Sequence, residues 1–217
     1  MPSRPGGRGG RAAALPLALQ LLLPALAAAQ APRPAAPETR RYAIEVAGVR
    51  VGTMTATRQT QPGTGEVVST LTSDVKVNFL LYRLKIYYQV INRVRNGQLL
   101  LSTVEAHTNQ GDFASRAEWL GTHYVIKAEQ YKHHYEATEP RPITFTVTDL
   151  FFSEPGRRPT AYAEYFGDYF ALARAPDGGT TRATRNGRED EYRYTNGQLT
   201  AIIKKNPLKN FVIRLLP

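Results

Sequence analysis

Leu84-Lys85-Ile86-Tyr87-Tyr88-Gln89-Val90-Ile91-Asn92-Arg93-Val94-Arg95-Asn96-Gly97 decides the fold class of this chain. Leu84, Ile86, Tyr88, Val90 and Val94 share one alternating set with only Asn92 out of pattern, and Lys85, Gln89, Arg93 and Arg95 belong to the other. Successive side chains of a pleated strand point to opposite faces, so the stretch reads as a strand with one greasy and one wet side. Asn-Gly best tolerates the two positive φ angles of a type I′ turn, so Asn96-Gly97 sends the chain back into an antiparallel neighbour.

The same grammar extends in both directions. Tyr42, Ile44 and Val46 alternate up to Gly48, and Val49 and Val51 begin a return strand. Gly52 then moves the apolar set onto Met54 and Ala56, the register change of a β-bulge. Asn-Gly recurs at Asn186-Gly187 and Asn196-Gly197, each expected to join neighbouring strands. Strands are expected over 99–108, 113–120, 123–130, 143–147, 161–164, 169–174, 180–185, 191–195, 198–204 and 210–216. The one helical segment is expected over 149–154, with Asp149 as its cap and Pro155 as its stop. No segment carries an apolar stripe at helical spacing, and no motif repeats at constant period. The fold class is therefore all-β: a curved, mostly antiparallel meander sheet or partly closed barrel, with one short helical turn near 149–154.

Ahead of this pattern, Arg4, Arg8 and Arg11 precede an uncharged run over 12–26 that ends in Ala27-Ala28-Ala29. That is the build of a secretory signal peptide, with cleavage expected after Ala29. The run is broken by Pro16, Gln20 and Pro24 and falls short of the roughly 20 apolar residues a bilayer-spanning helix needs, so no transmembrane segment is expected once it is removed. The expected organisation is a signal peptide over 1–29, a disordered Pro/Ala-rich linker over 30–40 and a single antiparallel β domain over 41–217. The product is expected to be exported, periplasmic or secreted. With no cysteine there is no lipobox and no disulfide framework, so stability must come from a core. The chain carries a net charge of +10, and +7 would remain after loss of the three leader arginines. Arg182, Arg185, Arg188, Lys204, Lys205, Lys209 and Arg214 suggest a weak contact with an anionic membrane surface; export argues against nucleic acid as the partner.

Tyr42-x-Ile44-x-Val46-x-Gly48-x-x-x-Gly52, Asn96-Gly97-x-Leu99-x-x-Ser102, Asp149-Leu150-Phe151-Phe152-x-Glu154-Pro155 and Tyr192-x-Tyr194-x-Asn196-Gly197 together span nearly the whole chain after the leader. In these strings the chain resembles an exported domain-of-unknown-function family of β-rich proteins from Gram-negative bacteria. The resemblance implies a β-sheet protein distantly similar to periplasmic half-barrel carriers, and it carries over no site residue.

Chemical signatures are sparse. His133, His134 and Glu136 form the best metal constellation, since His134 and Glu136 share a strand face, but a third ligand would have to come from His107 or His123. An exposed strand end explains the same residues, and no metal or other cofactor is expected. There is no cysteine nucleophile and no Gly-x-Ser-x-Gly elbow. Asp112, Glu118, Asp149, Glu154 and Glu164 could supply paired carboxylates for glycoside hydrolysis, yet spacing brings no two together. Asp149 reads better as a cap and Glu154 as a partner of Arg157 or Arg158, while Asp177-Gly178-Gly179 reads as a turn. No catalytic residue is assigned, and the protein is not expected to be an enzyme. Phe79 and Leu81, with Phe151 and Phe152, are apolar runs between polar strands and the candidate lining of a ligand pocket. The leading expectation is an apolar or lipid-like ligand held in a curved-sheet cavity. The alternatives are an envelope scaffold and a hydrolase using carboxylates or a histidine-bound metal.

Overall fold

A computed structural model of the chain describes residues 36–79, 82–205 and 210–217, with the side chains of 77–79 and 82–84 excepted. The expected leader, the linker up to residue 35, Leu81 and Lys209 lie outside the described residues. Fourteen strands form one sheet: β1 (Glu38–Val46), β2 (Val49–Thr60), β3 (Val67–Phe79), β4 (Tyr82–Arg95), β5 (Gln98–Thr108), β6 (Gly111–Trp119), β7 (Tyr124–Gln130), β8 (His133–Glu139), β9 (Thr160–Ala163), β10 (Asp168–Arg174), β11 (Thr180–Arg185), β12 (Arg188–Thr195), β13 (Gln198–Lys204) and β14 (Phe211–Leu215). Their spatial order is β8-β7-β6-β5-β4-β3-β2-β1-β14-β13-β12-β11-β10-β9. Two meanders are thus sewn together by the antiparallel pairing of β1 with β14, in which Ile44 lies opposite Ile213. β8 and β9 are the two edges, and the sheet is not closed.

The turns obey the chemistry expected of them. Both residues of Asn96-Gly97, Asn186-Gly187 and Asn196-Gly197 have positive φ, as do Ala47-Gly48 in the first hairpin. In that hairpin Ile44 faces Gly52 while Glu45 faces Arg50, so Val51 is the extra residue of a bulge. A Cβ at Gly52 would lie 2.3 Å from the Asp74 carbonyl oxygen, so only glycine lets β3 pass this close. Beyond the bulge Met54 and Ala56 are buried, and Val49 before it is exposed.

Three expectations need correction. β1 starts at Glu38, inside the expected linker, because Glu38 to Arg40 pair with Arg58 to Ala56 of β2. The segment over 143–147 is no strand of the sheet. It runs inside, where Leu99 donates its N–H to the Ile143 carbonyl, and Tyr162 and Val147 exchange hydrogen bonds with the Phe145 and Tyr162 carbonyls. The helical element is a 3₁₀ turn, Thr148–Phe151, and Asp149 does not cap it; its carboxylate instead accepts from the N–H of Thr146, at 2.8 Å.

This inner segment explains the curvature. Ile143, Phe145, Leu150, Phe151 and Phe152 are all buried, so the sheet wraps around a strap of its own chain. Tyr194 donates its hydroxyl to the Leu150 carbonyl at 2.9 Å, and Arg40 donates to the Phe151 and Phe152 carbonyls at 2.7 and 3.2 Å. Those carbonyls end a 3₁₀ turn and have no helical partners, so the wall must supply donors. Arg58 pairs with Asp149 from the neighbouring strand. At the far side, Tyr162 of β9 joins Leu99, Ala117, Tyr124 and Ile126 in one apolar cluster, so the two ends of the sheet approach each other. Gly167, after β9, has a φ of 68° and a Cβ there would lie 2.8 Å from Ile126 of β7. Both facts require glycine at that contact.

Candidate functional site

The inner strap fills only part of the interior. Beside it lies a cavity of about 890 Å³, walled by Met54, Leu71, Val147, Phe151, Phe166, Phe170, Ile202 and Ile213. These come from β2, β3, the strap, the β9–β10 connection, β10, β13 and β14, so the site exists only because both meanders bend around the same space. Its open end is ringed by Arg185, Gly187, Arg188, Glu189, Asp190, Lys204, Lys205 and Asn210, from the β11–β12 turn and the ends of β13 and β14. The size suits a small apolar ligand.

Four polar side chains line the wall: Tyr88, Tyr165, Tyr192 and Glu164. Glu164 is 4% exposed, and its Oε1 accepts from Asn92 Nδ2 at 2.7 Å and from the Thr148 N–H at 3.0 Å. Burial pushes its carboxyl above the ordinary carboxylate range, against the opposing effect of these hydrogen bonds. Burial also raises the Tyr88 and Tyr192 hydroxyls well above the usual phenol value, with the charge of Glu164 adding to both. Asn92 in turn donates to Thr146 Oγ1 at 3.2 Å, which ties the strap to β4. Asn92 is the residue that breaks the alternation of β4, and it sits buried at 1% exposure with its Nδ2 donating to a carboxyl and to a strap hydroxyl.

The candidate lining residues fare unequally. Phe151 stands in the cavity wall and meets Tyr42 edge-on with ring centroids 5.5 Å apart. Phe152 is buried but outside the wall, with the Arg58 guanidinium 4.1 Å over its ring centroid and Arg40 beyond. The strap's three consecutive buried side chains cannot all face one way, so the second phenylalanine packs under the arginines. Phe79 ends β3 and its side chain, like Leu81, lies outside the described residues.

The other candidates are dispersed. His134 and Glu136 share a face as expected, and the third group within reach is Glu129, not His107 or His123. All three are exposed, and Lys127 holds Glu136 at 2.9 Å while Glu129 holds His134 at 2.7 Å. The hydrogen bond to Glu129 raises the imidazole above its ordinary value and that from Lys127 lowers Glu136, so His134 is paired with Glu129 and Glu136 with Lys127. His133 points elsewhere, toward the Phe166 carbonyl at 2.9 Å. His107 faces Asp112 at 2.9 Å, and Glu118 pairs with Arg116. Glu154 lies 3.9 Å from Arg174 rather than beside Arg157 or Arg158. Asp177 accepts from the N–H groups of Gly179 and Thr180, the turn expected of it. Of the five carboxylates considered, Glu164 alone lines the cavity.

The basic residues near the C-terminus split up. Arg185, Arg188, Lys204 and Lys205 stand at the mouth. Lys204 is bound to Asp190 at 2.8 Å, Lys205 to Glu189 at 2.5 Å and Arg185 to Asp168 at 3.1 Å. Arg188 has no ion pair among the described residues, and Arg214 reaches Glu45 at 3.5 Å. The mouth therefore mixes signs and is not a uniform cationic patch.

Among the described residues no helix is long and apolar enough to cross a membrane. No curated protein and no solved structure matches the chain. A family profile does match it, over residues 42–216, from the second half of β1 to the end of β14 and so across both meanders and the strap between them. The chain belongs to the domain-of-unknown-function family DUF6134.

Proposed function

We propose that the chain is an exported, non-catalytic carrier that holds an apolar or lipid-like ligand between the strap and the sheet. The observation that carries this reading is the 890 Å³ cavity, walled by aliphatic and aromatic side chains from both meanders and opening at one polar rim. Apolar surface facing such a space gains by covering itself with hydrocarbon, at about 25 cal/mol per Å² removed from water. Work outside the cytoplasm is supported by the arginine-led apolar run that ends in Ala27-Ala28-Ala29. The half-barrel carriers of the periplasm offer the same principle, a bent sheet with a greasy concave side.

Native mass spectrometry of the mature chain after incubation with mixed fatty acids and phospholipids tests this directly. One retained ligand per chain is the expected result. Bare protein under every condition, with the fold intact by circular dichroism, would contradict it.

A further inference from the structure

Glu164, Tyr88 and Tyr192 line the same cavity from three places, the residue following β9, β4 and β12. Neither tyrosine hydroxyl has a hydrogen-bond partner among the described residues, whereas the Glu164 carboxyl accepts at Oε1 from Asn92 and from the Thr148 N–H and has the Thr148 hydroxyl beside it as well. Among the described residues, the two phenol oxygens are not among the polar side-chain atoms sealed in packed protein without a partner. Tyr192 is 1% exposed and Glu164 4%, with Tyr88 half-buried beside them, so the space the Tyr192 hydroxyl meets is the cavity and not the outer surface. A buried polar atom aimed into an apolar hollow is costly unless something there completes its bonding.

We propose that Glu164, Tyr88 and Tyr192 are the polar end of the cavity, and that they recognise an uncharged oxygen acceptor, such as a ketone or ester carbonyl, on an otherwise apolar ligand. The inference rests on the carrier reading and specifies its ligand. Each phenol offers one O–H, so the two tyrosines set two donors on the wall of one cavity, beside a carboxyl that burial disposes towards its neutral form. Oε1 already receives two N–H groups, so the carboxyl is anchored within the protein. Burial favours that neutral form and disfavours a charged head group beside it. The cations that would suit an anionic head stand at the mouth instead, three of them already paired with Asp190, Glu189 and Asp168.

Headspace partitioning of octane and 2-octanone over the wild type and a Tyr88→Phe/Tyr192→Phe double variant separates the cases, with octanoate and octylammonium as competitors. The expected result is uptake of both neutral probes by the wild type. In the double variant 2-octanone should bind about tenfold more weakly, as two lost hydrogen bonds imply, and octane should bind as before. Retained octane binding also shows that the variant is folded. Equal 2-octanone binding by both proteins, or displacement of 2-octanone by octanoate or octylammonium at lower concentration than by itself, would overturn the polar-end assignment and leave the cavity reading standing. No uptake of either probe by the wild type would overturn the cavity reading and this inference with it.

Discussion

Phe151→Ala is expected to lower the free energy of unfolding by about 3–5 kcal/mol, the cost of removing a buried aromatic ring where the surroundings cannot close. Phe151 is 3% exposed, meets Tyr42 edge-on and stands between the packed strap and the cavity. Collapse, the usual mitigation of such a deletion, has nowhere to come from, because one side of the ring already faces open volume. The backbone contacts at this residue survive the substitution, since Arg40 donates to its carbonyl and not to its ring. The loss therefore reports packing alone. Urea denaturation measures it, and a loss below about 1 kcal/mol would show that the strap is not the keystone described here.

Glu164→Ala is expected to cost about 2–6 kcal/mol, because it leaves both the Asn92 amide and the Thr148 N–H without their acceptor inside the protein, at about 1–3 kcal/mol each. Glu164→Gln keeps an acceptor for both and separates hydrogen bonding from ionisation. The carboxyl is raised in the fold by burial, so the folded chain holds its proton to higher pH than the unfolded chain does. Its contribution is then fully present below the unfolded carboxyl value and is lost as pH rises through the folded one. The stability of the wild type relative to Glu164→Gln should fall across that window, in denaturation curves taken from pH 4 upward at about one-unit steps. A difference that stays flat, or grows with pH, would mean that Glu164 is held as a carboxylate.

Much of this architecture can be read from alternation and turn chemistry, because both are local. The β4 stretch, the three Asn-Gly turns and the bulge beside Gly52 each rest on a handful of neighbouring residues, and each stands in the structure where its physics places it. The 143–147 segment is different, because its place is set by distant partners. Ile143, Phe145 and Val147 alternate like a strand, but the same alternation serves an extended strap hydrogen-bonded to Leu99 and Tyr162 inside the sheet. Nothing local distinguishes the two. Asp149 was misread as a cap for a related reason, since its partners Thr146 and Arg58 include one from 91 positions away.

The site was less legible than the fold, though it left one mark. Asn92 is the single polar residue on the greasy face of β4, and a buried amide on such a face needs a partner. That partner is Glu164, 72 positions later, which sequence spacing could only rank equally with Asp112, Glu118, Asp149 and Glu154. Tyr88 and Tyr192 were hidden among twelve tyrosines, most of which serve strand packing. Phe151 was found by its apolar run, and Phe152 was coupled to it only by adjacency.

Met54 offers the most direct test of the central claim, that a bent sheet and its own strap enclose an apolar hollow. It stands in the cavity wall, and the sequence has two methionines, the other being Met1. A ¹³C-methyl-methionine sample under xenon pressure should show the Met54 methyl resonance shifting in a saturable manner while that of Met1, where the leader is retained, stays put, since dry apolar cavities take up xenon. A Met54 resonance that does not move, or moves only in linear proportion to xenon pressure, would mean that the space beside the strap is filled by protein, contradicting the account.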